Sequence, residues 1–226
     1  MSDRMPLPAA IEGLYGVFSG YPLADHVEGC THCVFDRDHA LIHSAPLRQL
    51  SARALERYTE KAMSTWGNSE DFRHFLPRIF ELQAKNTWEP TFVEIAFGKL
   101  SYAGWDSWPD IEHEAVRQYF MSLWIDVLDS RDFDGDETRS EAESYLSGFS
   151  RAGELLGSYL DVWEFGGLRY GRKHFAATIE WFGVSLQETG RLSGGFWEPK
   201  PSAELRTWLN SEEVQHKLLA DVAGME

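Results

Sequence analysis

Cysteine is scarce in this chain, with Cys30 and Cys33 the two among 226 residues. That excludes a fold built on disulfides. Basic side chains are also few, 21 Lys and Arg against 36 Asp and Glu, for a formal net charge of −15. So acidic a chain disfavours nonspecific nucleic-acid binding and attachment to anionic membranes, since both rest on dense Lys and Arg. No run approaches the roughly 18 apolar residues of a membrane-spanning helix. The opening MSDRMPLPAAIEGLYGVF lacks the basic start and long apolar stretch of a secretory signal. No C-terminal lipidation box follows, and the chain reads as cytoplasmic. The signatures GxxxxGK[ST], GxGxxG, GxSxG and HExxH are all missing, which leans against an enzyme without excluding one.

Apolar material is plentiful. Hydrophobic residues make up 43% of the chain and aromatics 14%, which excludes intrinsic disorder. The apolar positions recur at helical spacing nearly throughout. Ile11, Leu14, Tyr15 and Phe18 mark a first helix. Ser51 reads as the N-cap of a second that reaches Trp66, with Leu55, Tyr58, Ala62 and Trp66 on one face. Gly67-Asn68 stops it, and Ser69 starts a third in which Pro77 predicts a kink or two short helices. A helix fits Thr91 to Ala103. The widest stripe runs from Asp110 to Leu128, just after Pro109. Further helices are predicted over about 140–150, 155–163, 175–186, 203–209 and 212–222, the last capped by Ser211. Cys33-Val34-Phe35 is the one strand candidate. The expected fold is an all-α, irregular bundle of about nine or ten helices, with HEAT-like stacked hairpins as the alternative. The expected domains are a helical core over 1–189, a Gly- and Pro-rich linker over 190–202, and a C-terminal helical pair over 203–226.

Chemistry concentrates between residues 26 and 43, HVEGCTHCVFDRDHALIH, which contain both cysteines and four of the eight histidines. Cys30, Cys33, His39 and His43 form C-x2-C-x5-H-x3-H. A Cys pair in one tight turn and two His on one helical face match a tetrahedral zinc set. His26 and His32 are alternates. Four protein ligands would close the shell and make such a site structural. Two other readings stand beside this one: packed, reduced thiols, and a redox dithiol of the Cys-x-x-Cys kind.

Three weaker constellations remain. Residues 130–141, SRDFDGDETRSE, outline an EF-hand loop but have Ser130 and Glu137 at positions one and eight. The plainer reading is a solvated acidic loop, with Asp132, Asp134 and Asp136 as docking points for a basic partner. Four acid-x-x-His pairs, Asp36/His39, Asp71/His74, Asp110/His113 and Glu213/His216, echo di-iron bundles, yet Asp71 and Asp110 open helices, where acids are favoured anyway. Arg169, Arg172 and Lys173 with His174 form the one basic cluster. It sits at a helix start, where positive charge wants a carboxylate or a bound anion.

The strings GCTHC (29–33), PLRQLS (46–51), TWG (65–67) and DFRHFLPRI (71–79) resemble a group of uncharacterised bacterial proteins. The resemblance covers the first third of the chain. It implies a bacterial origin and brings no activity with it. The function expected from the residues is a noncatalytic acidic helical interaction module, an immunity or regulatory protein being an example. Its partner would be a protein with a basic surface rather than nucleic acid or membrane, with homo-oligomerisation left open. The alternative is a metal-dependent enzyme or a zinc-stabilised regulator.

Overall fold

The computed structural model describes residues 4–87, 92–132, 141–189, 191–192 and 197–219. Among them it has eleven α-helices and no named strand, the all-α architecture expected. Also among the described residues, no helix is long and apolar enough to cross a membrane. The chain forms two compact units, Met1–Ser122 and Leu123–Glu226.

The first unit contains α1 (Leu7–Val17), α2 (Asp36–Ile42), α3 (Ala52–Lys61), α4 (Ser69–Ala84), α5 (Phe92–Tyr102) and the first part of α6 (Asp110–Ser130). Helix α4 packs against α1, α3 and α5, and α2 lies on α3. The core is aromatic: the Phe80 ring stacks on Tyr119 at 5.0 Å and meets Phe97 edge-on at 5.1 Å. The Tyr119 hydroxyl donates to the Phe80 carbonyl at 2.7 Å, so this buried polar tip is satisfied.

Local signals place several ends. Ser51 caps α3 by accepting from the Ala54 amide. Asn68 caps α4 in a full capping box, with the Asp71 carboxylate accepting from the Asn68 amide at 2.9 Å. Two expectations for these helices are corrected. The α3 stripe does not continue as helix to Trp66, because Lys99 reaches across from α5. Its Nζ donates to the carbonyls of Glu60 and Ala62 at 2.8 and 3.0 Å and ends the helix there. Of the kink or two short helices expected at Pro77, the split does not occur, since α4 runs 16 residues through it. Phe72, Phe75, Leu76, Ile79 and Phe80 are all fully buried around the proline, and that packing outweighs one lost hydrogen bond.

The second unit contains the rest of α6 with α7 (Glu141–Arg151), α8 (Gly157–Phe165), α9 (Gly171–Thr189), α10 (Pro199–Leu209) and α11 (Glu212–Leu219). Tryptophans organise it. Trp163 meets Trp124 edge-on and Trp208 tilted, each at 5.2 Å. The Trp124 and Trp163 indole N–H groups donate to the carbonyls of Tyr159 and Gly171. Helices α10 and α11 pack on α8, and α11 also on α9. The residues after 203 thus share a unit with α8 and α9. Residues 190 and 193–196 of the expected linker lie outside the described residues.

Candidate functional site

The Cys/His segment is fastened to the loop between α3 and α4. The Cys30 amide donates to the Thr65 carbonyl at 2.8 Å and the Gly67 amide to the Glu28 carbonyl at 2.7 Å, pairing Gly29 with Trp66. This close approach favours glycine at 29, since a Cβ there would stand 3.2 Å from both Trp66 and Val34 and make them shift. The chain then turns sharply. The amides of Cys33 and Val34 both donate to the Cys30 carbonyl, at 2.8 and 2.9 Å. Those bonds replace the expected strand at 33–35, because its amides face back into the turn.

Arg57 of α3 braces the turn from beneath. Its Nη2 donates to the Cys33 carbonyl at 2.7 Å and its Nε to Asp38 at 3.0 Å. Asp38, itself buried, also accepts from the Phe35 amide at 3.0 Å and so caps α2.

Both cysteines are free thiols, half-buried. The Cys30 sulfur faces the backbone N–H of His32 first, then the Cys33 thiol and the Cys33 N–H, and these donors lower its pKa. Cys33 is raised, chiefly by its hydrogen bond to Cys30 and then by burial.

The histidines do not join them. Both ring nitrogens of His43 lie against backbone carbonyls, of His39 at 2.9 Å and Ala24 at 3.1 Å, rather than against the cysteines. His39 stacks on His26 at 4.9 Å and meets Trp66 edge-on at 5.3 Å. His32 is exposed at the turn. Among the described residues, no group of three or more His, Cys, Asp or Glu is placed to hold a metal ion. The zinc set of Cys30, Cys33, His39 and His43, with His26 or His32 as substitutes, is thus not assembled, and neither is a di-iron set. Asp71 is engaged in its capping box, and His113 lies against the Trp105 carbonyl at 2.6 Å.

An open cleft of about 590 Å³ adjoins the turn. Its walls include His26, Gly29, Val34, Phe35, Arg37 and His39. Phe35 is 45% exposed there, with the Arg37 guanidinium 5.2 Å from its ring.

In the second unit, the acidic and basic clusters meet each other. Arg131 bonds Asp126 at 3.0 Å, Glu141 at 3.1 Å and the Tyr145 hydroxyl at 2.9 Å. Burial alone would lower its pKa, but Tyr145, Glu141 and Asp126 raise it. Lys173 pairs with Asp132, and the Asp129 carboxylate accepts from the Arg169 amide at 2.9 Å. Of the expected docking points, Asp134 and Asp136 lie outside the described residues, as do residues 133–140 of the EF-hand outline. Of the expected anion site, Lys173 is engaged by Asp132, while Arg169 and Arg172 line a separate cleft with Lys217.

Inspection of the sequence missed Arg57 and Trp66 as parts of the Cys turn. The legible signal was GCTHC beside a later TWG, two glycine-bearing segments of the kind that permit close backbone approach. No family model, curated protein or solved structure matches the chain.

Proposed function

We infer that the protein is an acidic helical module that docks a protein partner carrying a basic surface, in the manner of an immunity or regulatory protein. One observation carries this reading: the acid excess of 36 carboxylates over 21 Lys and Arg is left at the surface, with four of the arginines drawn into internal pairs. Arg57, Arg73, Arg78 and Arg131 each pair with a carboxylate of their own unit. Asp25, Glu28, Asp36, Glu56, Glu60 and Glu70 stay exposed. A surface of this kind speeds encounter with a cationic partner and repels acidic ones. A zinc-stabilised regulator or metal-dependent enzyme has no comparable support, since the proposed ligands stand apart.

The test is affinity capture followed by titration of the purified partner. The expected partner is basic, and its association weakens steeply between about 0.05 and 1 M salt as the screening length contracts. Replacing Asp132, Asp134 and Asp136 with Asn slows association and leaves the helical circular dichroism intact. Binding indifferent to salt and to the triple variant overturns the reading.

A further inference from the structure

We propose that Cys30 and Cys33 form a thiol–disulfide exchange site in which Cys30 attacks, Cys33 resolves, and the substrate is a disulfide borne by a cationic polypeptide. The exchange chemistry is independent of the docking reading; the charge of the substrate rests on it.

Four features of the turn support the proposal. The Cys33-to-Cys30 hydrogen bond makes residues 30–33 a tight turn. Such a turn keeps its end Cα atoms within about 7 Å, the separation a disulfide spans. The pair can therefore close and reopen with the backbone in place. Second, the backbone N–H of His32 lies against the Cys30 sulfur, a donor that favours a thiolate at 30. Third, the turn is fixed by Thr65, Arg57 and the Gly29–Trp66 pairing, so both sulfurs keep their places through a cycle. Fourth, both thiols are partly open to solvent, and their sequence neighbours Gly29, Thr31 and Val34 line a cleft that presents Phe35. An extended segment carrying a disulfide has an apolar contact and room there. Arg37 stands in the cleft wall beside Asp36, and Lys61 and Arg57 act on Cys33, so the preference for a positively charged segment comes from the acid excess of the whole chain, net −15, to which exposed Asp25, Glu28 and Asp36 contribute.

The step balances. The Cys30 thiolate attacks one sulfur of the substrate disulfide, forming a mixed disulfide and releasing the other sulfur as a thiolate. Cys33 gives its proton to that leaving thiolate. Its own thiolate then attacks the Cys30 sulfur, closing the Cys30–Cys33 disulfide and expelling the second substrate thiolate, which takes a proton from water. Two electrons pass from the dithiol to the substrate, which ends as two thiols.

The experiment uses the full-length reduced protein and three small disulfides: cystamine, which is cationic, hydroxyethyl disulfide, which is neutral, and oxidised glutathione, which is anionic. Mass spectrometry follows the adducts. The expected result is an internal Cys30–Cys33 disulfide with each reagent. Cystamine reacts roughly tenfold or more faster than oxidised glutathione at low salt, a preference that fades as salt rises. Cys33→Ser accumulates the mixed disulfide on Cys30, and Cys30→Ser reacts at least tenfold more slowly with all three. Limited alkylation of the unmodified protein marks Cys30 before Cys33, a readout that needs no variant to fold. A folded protein whose thiols react no faster than those of the urea-unfolded chain overturns the exchange site and leaves the docking reading standing. So does preferential alkylation of Cys33. Equal rates with cystamine and oxidised glutathione overturn the cationic substrate and leave the exchange chemistry standing.

Discussion

Arg57→Ala perturbs both the Cys turn and the fold beneath it. The guanidinium makes two contacts, to the Cys33 carbonyl at 2.7 Å and to Asp38 at 3.0 Å. Hydrogen bonds to charged groups are worth about 1.5–3 kcal/mol each, and removing one partner of a buried pair costs about 3–5 kcal/mol. The Asp38 side chain is 5% exposed, but that of Arg57 is 38% exposed, so water fills part of the space vacated. Asp38 also keeps its bond from the Phe35 amide. The expected loss is therefore about 1–3 kcal/mol, below the figure for a fully buried pair. Urea denaturation followed by circular dichroism measures it as a lower midpoint with an unchanged slope. The loss is local as well as global. Hydrogen exchange at the Cys33 and Val34 amides speeds up about tenfold for each 1.4 kcal/mol by which turn opening is eased. Arg57→Lys reaches Asp38 or the Cys33 carbonyl but lacks the fork that spans both, so it recovers less than half of the loss. Arg57→Ala within about 0.5 kcal/mol of the unaltered protein, the range of a neutral surface change, with unchanged exchange at the turn, refutes the brace.

Three further outcomes follow from the same structure. Glu81 is held at about 2, against an ordinary 4.5, by Lys85, Tyr15 and Arg78, which outweigh its burial. Its folded pKa is depressed, so its contribution is complete above about pH 4.5 and lost as pH falls toward 2. Acid denaturation of Glu81→Gln should lack a component of about 1–2 kcal/mol in that window, and an identical acid profile in the variant contradicts this. Gly29→Ala should destabilise by about 0.5–2 kcal/mol, because Trp66 and Val34 must yield, whereas Gly16→Ala, with open space around it, should not. Finally, chelator should leave the melting temperature unchanged, given that His43 is committed to two carbonyls; purified protein with about one zinc per chain would show that reasoning to be mistaken.

Much of the helical architecture was legible because its signals are local. Ser51, the Gly67-Asn68-Ser69 stop and restart, and the Pro109-Asp110 start each act within one turn of the boundary they set. Where the determinant lay far along the chain, the reading failed. Helix α3 stops at Lys61 because a lysine 37 residues past Ala62 reaches the Ala62 carbonyl. Pro77 stays within α4 because the large side chains that flank it in that helix are buried against other helices, which the local proline signal does not carry. The apolar stripe of α6 shows no break, yet the two compact units divide between Ser122 and Leu123. Tyr119 and Phe120 serve the first core and Trp124 the second, and an unbroken stripe conceals a change of neighbours. For the candidate site, spacing alone placed the two cysteines in one turn. It did not show that His43 turns to the Ala24 carbonyl, because that partner belongs to an irregular segment with no periodic signal.

The chemistry of residues 26–43 is decided by who answers the cysteines. With histidine lone pairs aimed at both sulfurs, the same four residues would close around a metal, and the thiolates would be quenched as ligands. Here backbone N–H groups and a neighbouring thiol face Cys30 instead. Hydrogen-bond donors of that kind stabilise a thiolate without occupying it, so the sulfur stays available to an electrophile. The acid excess of the whole chain acts on approach, since a net charge of −15 repels anionic disulfides and attracts cationic ones. On the proposed readings, selection of a partner by charge and a sulfur kept reactive by the turn are thus separable properties. Salt acts on the first and leaves the second in place, so titration of salt against both partner binding and exchange rate tells them apart.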